Sequence, residues 1–142
     1  IIELIFVVQR KASLKAGDDS GNDYLYFSKT DSSTALDTIK FAQLFLNNTE
    51  RTPLMNSKEM RYLNPIHSHT GISSNNFIYM YSFSINPESF QPSGSCNFSR
   101  FDSKDLAIEF EDDITASEVK VYAVNYNILR ISKGMGGVAY IN

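Results

Sequence analysis

His67 and His69 stand one residue apart and are the only histidines in the chain. On a strand, such a pair points both rings to one face, an arrangement suited to holding a divalent metal. A metal site of that kind also needs a nearby Glu and a third His. Residues 70–76 contain no carboxylate and there is no third histidine. The pair therefore reads as part of a polar loop after Pro65, and no metal is expected. The nearest approach to a nucleophile elbow is Pro92-Ser93-Gly94-Ser95-Cys96, but a Gly-x-Ser-x-Gly pattern is absent. Glu111-Asp112-Asp113 is acidic enough to attract calcium but lacks the spaced oxygen ligands of a dedicated loop. It reads as a solvated turn. No glycine loop cradles a phosphate. Cys96 is the single cysteine; alone it forms neither an internal disulfide nor a metal cluster. It reads as a small buried thiol near a turn, in keeping with a reducing compartment. Two glycosylation sequons occur, at Asn47-Asn48-Thr49 and Asn97-Phe98-Ser99. Asn47, at a strand end, is the better candidate for a glycan; Asn97 is expected to be packed and unmodified. The chain offers no acid–base constellation and no cofactor motif, so an enzyme is not expected.

The elements that must carry these residues are mostly strands. Residues 1–9 are apolar on both faces, as in a strand covered on both sides. A polar loop follows at 10–23, then a short aromatic strand at 24–27 and a polar stretch at 31–37. In the strand predicted for 39–47, Ala42, Leu44 and Leu46 share one face and Ile39, Phe41 and Phe45 the other. Residues 47–53 are a turn. The one short helix is expected at 56–63, capped by Asn56 with Glu59 as the reciprocal partner and stopped by Pro65, which pushes Asn64 out of the α region. Residues 77–85 alternate, with Phe77, Tyr79, Tyr81, Phe83 and Ile85 on one buried aromatic face. Residues 106–110 form another strand. A long strand at 119–131, bulged near Asn125 where the apolar phase shifts, leads through a turn at Gly134-Met135-Gly136-Gly137 into a last strand at 138–141. Short strands separated by turn signals imply an all-β sandwich or barrel. Their order is not legible from the pattern, and a jelly roll is one of several allowed answers.

The bulk numbers set outer bounds. At 142 residues the chain is one domain's worth of polypeptide. A net charge of −3, with no basic cluster, argues against a nucleic-acid-coating surface. No apolar run approaches the roughly 18 residues that span a bilayer, so no direct membrane contact is expected. The first residues have no basic region or small-residue cleavage site and are not a signal peptide. The chain starts with Ile1, inside an apolar strand pattern, and is expected to be an N-terminally truncated fragment of a longer polypeptide.

Five blocks, in this order, carry a resemblance. They are Tyr81-Ser82-Phe83, Gln91-Pro92-Ser93-Gly94, Asn97-Phe98-Ser99-Arg100-Phe101-Asp102, Tyr122-Ala123-Val124-Asn125-Tyr126-Asn127, and Gly134-Met135-Gly136-Gly137. Together they resemble the C-terminal jelly roll of the major capsid protein of nucleocytoplasmic large DNA viruses (the iridovirus, phycodnavirus and mimivirus-like group). Arg51 and the stretches 3–9 and 62–67 match more loosely. Physically the blocks read as scaffolding. Pro92 fixes φ and Gly94 permits a positive one. Gly136 and Gly137 let the chain reverse. Asn125 and Asn127 hydrogen-bond loop backbone, since an unpaired buried amide costs about 1–3 kcal/mol.

The resemblance implies a jelly-roll β-sandwich, the second half of a double jelly-roll capsid protein, with residues 1–142 forming most of the C-terminal domain. It implies a structural protein of the virion's outer shell, assembled in the host cytoplasm. The full-length protein would form a homotrimer, a pseudo-hexagonal capsomer that touches neighbouring capsomers and minor capsid proteins. A carbohydrate-binding jelly roll, a virion surface or lectin-like module, is the alternative; exposed aromatics beside carboxylates would favour it.

Overall fold

The computed structural model describes residues 1–11, 24–25, 27–29, 36–72, 76–112, 114 and 116–140. Residues 12–23 of the predicted loop at 10–23, most of the polar stretch at 31–37, Tyr26 of the predicted strand at 24–27, and Asp113 of the acidic turn lie outside them; Arg10, expected in that loop, is buried as the last residue of the first strand. Nine strands occur among the described residues. β1 (Glu3–Arg10) is flanked by β5 (Tyr79–Ser82) and β7 (Ser117–Val124), all antiparallel. β2 (Ile39–Leu46) carries the short β3 (Thr49–Glu50) and β4 (Met55–Asn56), and pairs along its length with β6 (Lys104–Phe110). β8 (Leu129–Ser132) and β9 (Met135–Val138) form a separate hairpin.

β1 is central, and its sequence explains why. Leu4, Phe6 and Val8 point to one face, and Phe6 and Val8 pack with Ile39, Ala42, Met60 and Tyr79 in the main core. Val7, on the opposite face, packs with Phe27 and Phe77. A strand covered on both sides needs apolar residues in both phases, and each large buried side chain contributes roughly 1.5–3 kcal/mol. Phe6 stacks on Tyr79 with ring centroids 5.8 Å apart.

β2 alternates as predicted over Ala42, Leu44 and Leu46, which are buried while Phe41 and Phe45 are half-buried. Ile39 departs from the pattern and is fully buried. The pairing register with β6 shifts between Ile39 and Phe41, and one extra residue moves a side chain to the other face. The β2–β3 hairpin turns on Asn47 and Asn48, both at positive φ (50° and 59°). Two left-handed residues in a two-residue loop are the signature of the type I′ turn.

The helix keeps its predicted cap and loses its predicted end. The Asn56 amide donates to Glu59 Oε2 at 2.8 Å, and the Glu59 amide donates to Asn56 Oδ1 at 3.0 Å, a reciprocal capping box. Pro65 does not stop the helix. A π-helical turn over Glu59–Leu63 runs into an α-helix, α1 (Asn64–Ser68), with Pro65 in its first turn. The Asn64 amide reaches back five residues to the Glu59 carbonyl, and Asn64 stays in the α region (φ −61°, ψ −49°). The wider turn absorbs the proline, whose missing N–H is harmless at a helix start. His67 is therefore helical, and His69 is the extended C-cap; neither belongs to a plain loop.

Three further expectations are corrected. β5 is shorter than 77–85: the chain bends after Ser82, and Ile85 is 80% exposed. The strand predicted for 119–131 is broken, not bulged. β7 ends at Val124, residues 125–128 have no ladder, and β8 starts a new hairpin. The last turn is Lys133-Gly134, at φ 51° and 78°. Gly136 and Gly137 lie within β9, opposite Ile131 and Arg130.

Candidate functional site

Three consecutive family-like blocks meet around Phe83. Its ring stands edge-on to Tyr81 and Phe98, with centroids 5.0 and 5.6 Å away, in the geometry aromatic rings favour. The Arg51 guanidinium sits 6.0 Å from the same centroid. Gly94 has a φ of 144°, and a Cβ there would stand 2.8 Å from the Phe83 carbonyl oxygen. Only glycine fits that approach. Ser82 Oγ donates to the Ser84 carbonyl at 2.7 Å and accepts from the Ser84 amide at 3.1 Å. Ser93 Oγ accepts from the Asn86 amide at 2.8 Å, donates to the Asn86 carbonyl at 3.1 Å, and lies 2.6 Å from Ser84 Oγ. These bonds close the loop that contains Gln91 and Pro92, both exposed.

The third block begins with Asn97, which is exposed and not packed. Its Oδ1 accepts from the Ser99 amide at 3.1 Å and caps a short 3₁₀ turn, Phe98–Arg100. The fourth block is tied by Asn127. Its Nδ2 donates to the Tyr140 carbonyl at 2.8 Å, and its Oδ1 accepts from the Tyr140 and Ile128 amides at 3.1 and 2.8 Å. Asn127 thus clasps the base of the β8–β9 hairpin, the loop-backbone role expected of it, although from an exposed position. Asn125 and Tyr126 line an open cleft of about 930 Å³ with Asn97 and Phe98, so the third and fourth blocks share a surface. Cys96, half-buried and not fully buried, lines it too. Gly134 and Met135 belong to the hairpin, and Met135 is exposed.

Asn47 is exposed, but its Oδ1 accepts from the Asp102 and Ser103 amides at 2.8 and 3.2 Å. It ties the β2–β3 turn to the segment leading into β6.

The electrostatics point to structure. Asp37, Arg61 and Tyr79 form a buried node. Arg61 Nη1 donates to Asp37 Oδ1 at 2.7 Å, and its guanidinium lies 3.9 Å from the Phe77 ring centroid. Tyr79 donates to Asp37 Oδ1 at 3.0 Å and accepts from the Thr38 amide at 3.1 Å. Burial pushes the Tyr79 hydroxyl up to about 12, so it stays neutral and is no nucleophile. Among the described residues, no group of three or more His, Cys, Asp and Glu side chains could hold a metal ion. No described helix is long and apolar enough to cross a membrane. Sequence reasoning missed two partners of His69. Glu3 and Glu88, 66 and 19 positions away, both reach its ring, and no local pattern marks a contact between such distant positions.

Two packed antiparallel sheets, with motif blocks serving as turns, clasps and aromatic contacts, define a structural jelly-roll β-sandwich. Residues 1–137 match the family model described as large eukaryotic DNA virus major capsid protein, and the chain belongs to that family. It is 41% identical over 105 residues to the major capsid protein of Phaeocystis pouchetii virus, covering 71% of this chain and 20% of that one. Against the major capsid protein of Paramecium bursaria Chlorella virus 1 it is 32% identical over 123 residues, covering 71% and 28%. The fold superposes on the quasi-atomic model of the PBCV-1 virus capsid with a TM-score of 0.78 at 23% identity, covering 99% of this chain and 43% of that one. The Faustovirus major capsid protein gives a TM-score of 0.64 at 10% identity, covering 88% and 29%. The chain thus spans only part of the length of each of these relatives.

Proposed function

We propose that this chain is most of the C-terminal jelly roll of a tandem double jelly-roll capsid protein, and that its work is assembly, not catalysis. Three copies of the parent protein would make a pseudo-hexagonal capsomer in the outer shell of a large icosahedral DNA virus. Neighbouring capsomers and minor capsid proteins would be its partners. The observation that carries this reading is a large uncovered apolar surface in the C-terminal third. Val119 and Val121 lie opposite Val8 and Phe6 in the β1–β7 register. They therefore project to the core side of the sheet, yet they are 40% and 50% exposed. Beyond them Leu129, Ile131 and Val138, on one face of the hairpin, are all exposed. A soluble domain rarely leaves so many large apolar side chains of its strands in water unless more polypeptide covers them. Many weak symmetric contacts of this kind close a shell.

The test is the native mass of the full-length parent protein, by size-exclusion chromatography with light scattering. A stable trimer is expected. A folded monomer would overturn the capsomer reading and move attention to glycan-array binding by the isolated domain.

A further inference from the structure

The two faces of the β8–β9 hairpin differ. Leu129, Ile131 and Val138 occupy one. Arg130, Ser132, Met135 and Gly137 occupy the other, since Arg130 stands opposite Gly137 and Ser132 opposite Met135. This second face holds a groove of about 380 Å³. Its floor is glycine. A Cβ on Gly136 or Gly137 would meet nothing within 4 Å, and neither residue takes a positive φ. Neither backbone conformation nor packing among the described residues therefore calls for glycine there. Glycine inside a strand weakens it and often marks a place where another group approaches the backbone closely. Arg130 and Met135 flank that floor, and both are exposed. The hairpin's two charges, Arg130 and Lys133, are both positive.

The other sheet carries the complement. Phe45 on β2 stands opposite Glu50 on β3 and Asp105 on β6. Residues directly opposite one another share a face, so two carboxylates flank the ring. Phe45 is half-buried, while Glu50 and Asp105 are exposed. Farther along the same face, Phe41 stands opposite Glu109. Lys40 pairs with Glu109 at 3.1 Å, whereas Glu50 and Asp105 make no ion pair among the described residues. Lys104 and Arg51, their chain neighbours, belong to the opposite face of their strands, where Arg51 approaches Phe83.

We propose that the glycine-floored groove of the β8–β9 hairpin docks on the Phe45 face of a second copy of this chain, with Arg130 against Glu50 and Asp105 and the Phe45 ring edge over Gly136 and Gly137 beside Met135. The chemistry matches on each count. A guanidinium presents a planar fork of donors to carboxylates. A thioether sulfur packs favourably at an aromatic ring edge. A floor without side chains leaves room for the ring. Charge selects the partner: the groove is positive, and the unpaired carboxylates of the Phe45 face are negative. The two surfaces are different patches of one chain, so the contact is heterologous and runs head to tail, the kind that generates a ring when its rotation closes. It rests on the capsomer reading and supplies that reading with one contact between copies.

The test is sedimentation velocity of the full-length parent protein over a dilution series, with near-ultraviolet circular dichroism to show that each variant is folded. For an assembly too tight to dilute apart, the same ranking is read from the urea midpoint of its dissociation. Arg130→Glu should weaken self-association roughly tenfold, and Asp105→Arg should do the same, the scale of a few exposed ion pairs lost or reversed. The two changes together should restore association to within roughly threefold of the wild type, because each new charge meets its opposite on the neighbouring copy. Gly137→Val, which meets nothing inside the chain, should leave folding unchanged and weaken association by filling the groove. A trimer that none of these changes weakens would overturn the hairpin contact and leave the capsomer reading standing. Weakening by Arg130→Glu and Gly137→Val, but not by Asp105→Arg, would give the groove to a different surface and overturn the second copy's Phe45 face as its occupant. A parent protein that is monomeric at every concentration would overturn both.

Discussion

The strands of the first half and those of the last third carry the same kind of apolar alternation and meet opposite fates. In β1 and β2 most apolar side chains are buried and the rest, Ile5, Phe41 and Phe45, are half-buried. In β8 and β9 none is, and from Val121 to Tyr140 every residue is exposed. Composition does not explain the contrast: Leu129 and Ile131 are as apolar as Leu4 and Phe6. What differs is whether the opposing surface is supplied within the described residues. β1 has a strand on each edge and a cluster on each face. β7 has β1 on one edge and no described strand on the other. The first region is closed by contacts made within the described residues; the second is left uncovered by them.

Substitutions separate the two regions. The largest loss is expected for Phe6→Ala, which opens the main core beneath Tyr79 and should cost about 3–5 kcal/mol in denaturant unfolding. Arg61→Ala should cost on a similar scale, about 3–5 kcal/mol, because it strands Asp37 in a largely buried site. A loss below about 1 kcal/mol there would show that the node is solvated. Gly94→Ala should cost about 1–3 kcal/mol, from a positive φ and the close Phe83 carbonyl, read as a lowered thermal midpoint. The smallest effect on folding, within about 0.5 kcal/mol, is expected for Leu129→Ser. That same change should weaken self-association of the parent protein in sedimentation experiments. If Leu129→Ser instead unfolds the domain, the hairpin belongs to the core and the contrast fails.

Local chemistry explains which features were legible. The Asn56–Glu59 capping box, the two-faced β1 and the alternation of β2 all depend on neighbours within a few positions, and the structure shows each of them. Pro65 misled because the rule for a helix end ignores the wider turn that a π-helical register allows. The break after Val124 looked like a bulge because the apolar alternation resumes in a shifted phase at Tyr126 and Ile128, although no described strand pairs with residues 125–128. The glycines of the last block were read as a turn, whereas Lys133 and Gly134 take the positive φ values. Of the candidate site, the residues of the five blocks were legible as a set, but not the meeting of three of them around Phe83.

By itself, then, the sequence determined the strand-rich class, the capped helix start, and the motif blocks that mark the family. These rest on side-chain periodicity, backbone hydrogen bonding over short spans, and the identity of residues at fixed offsets. Only the tertiary structure decided that Phe83 gathers three blocks, that Asn127 clasps the last hairpin, and that His69 bridges Glu3 and Glu88. Each of these joins positions beyond the reach of a local sequence pattern. Such contacts are set by how sheets stack and loops close, because the free energy of packing depends on the whole arrangement and not on any local window.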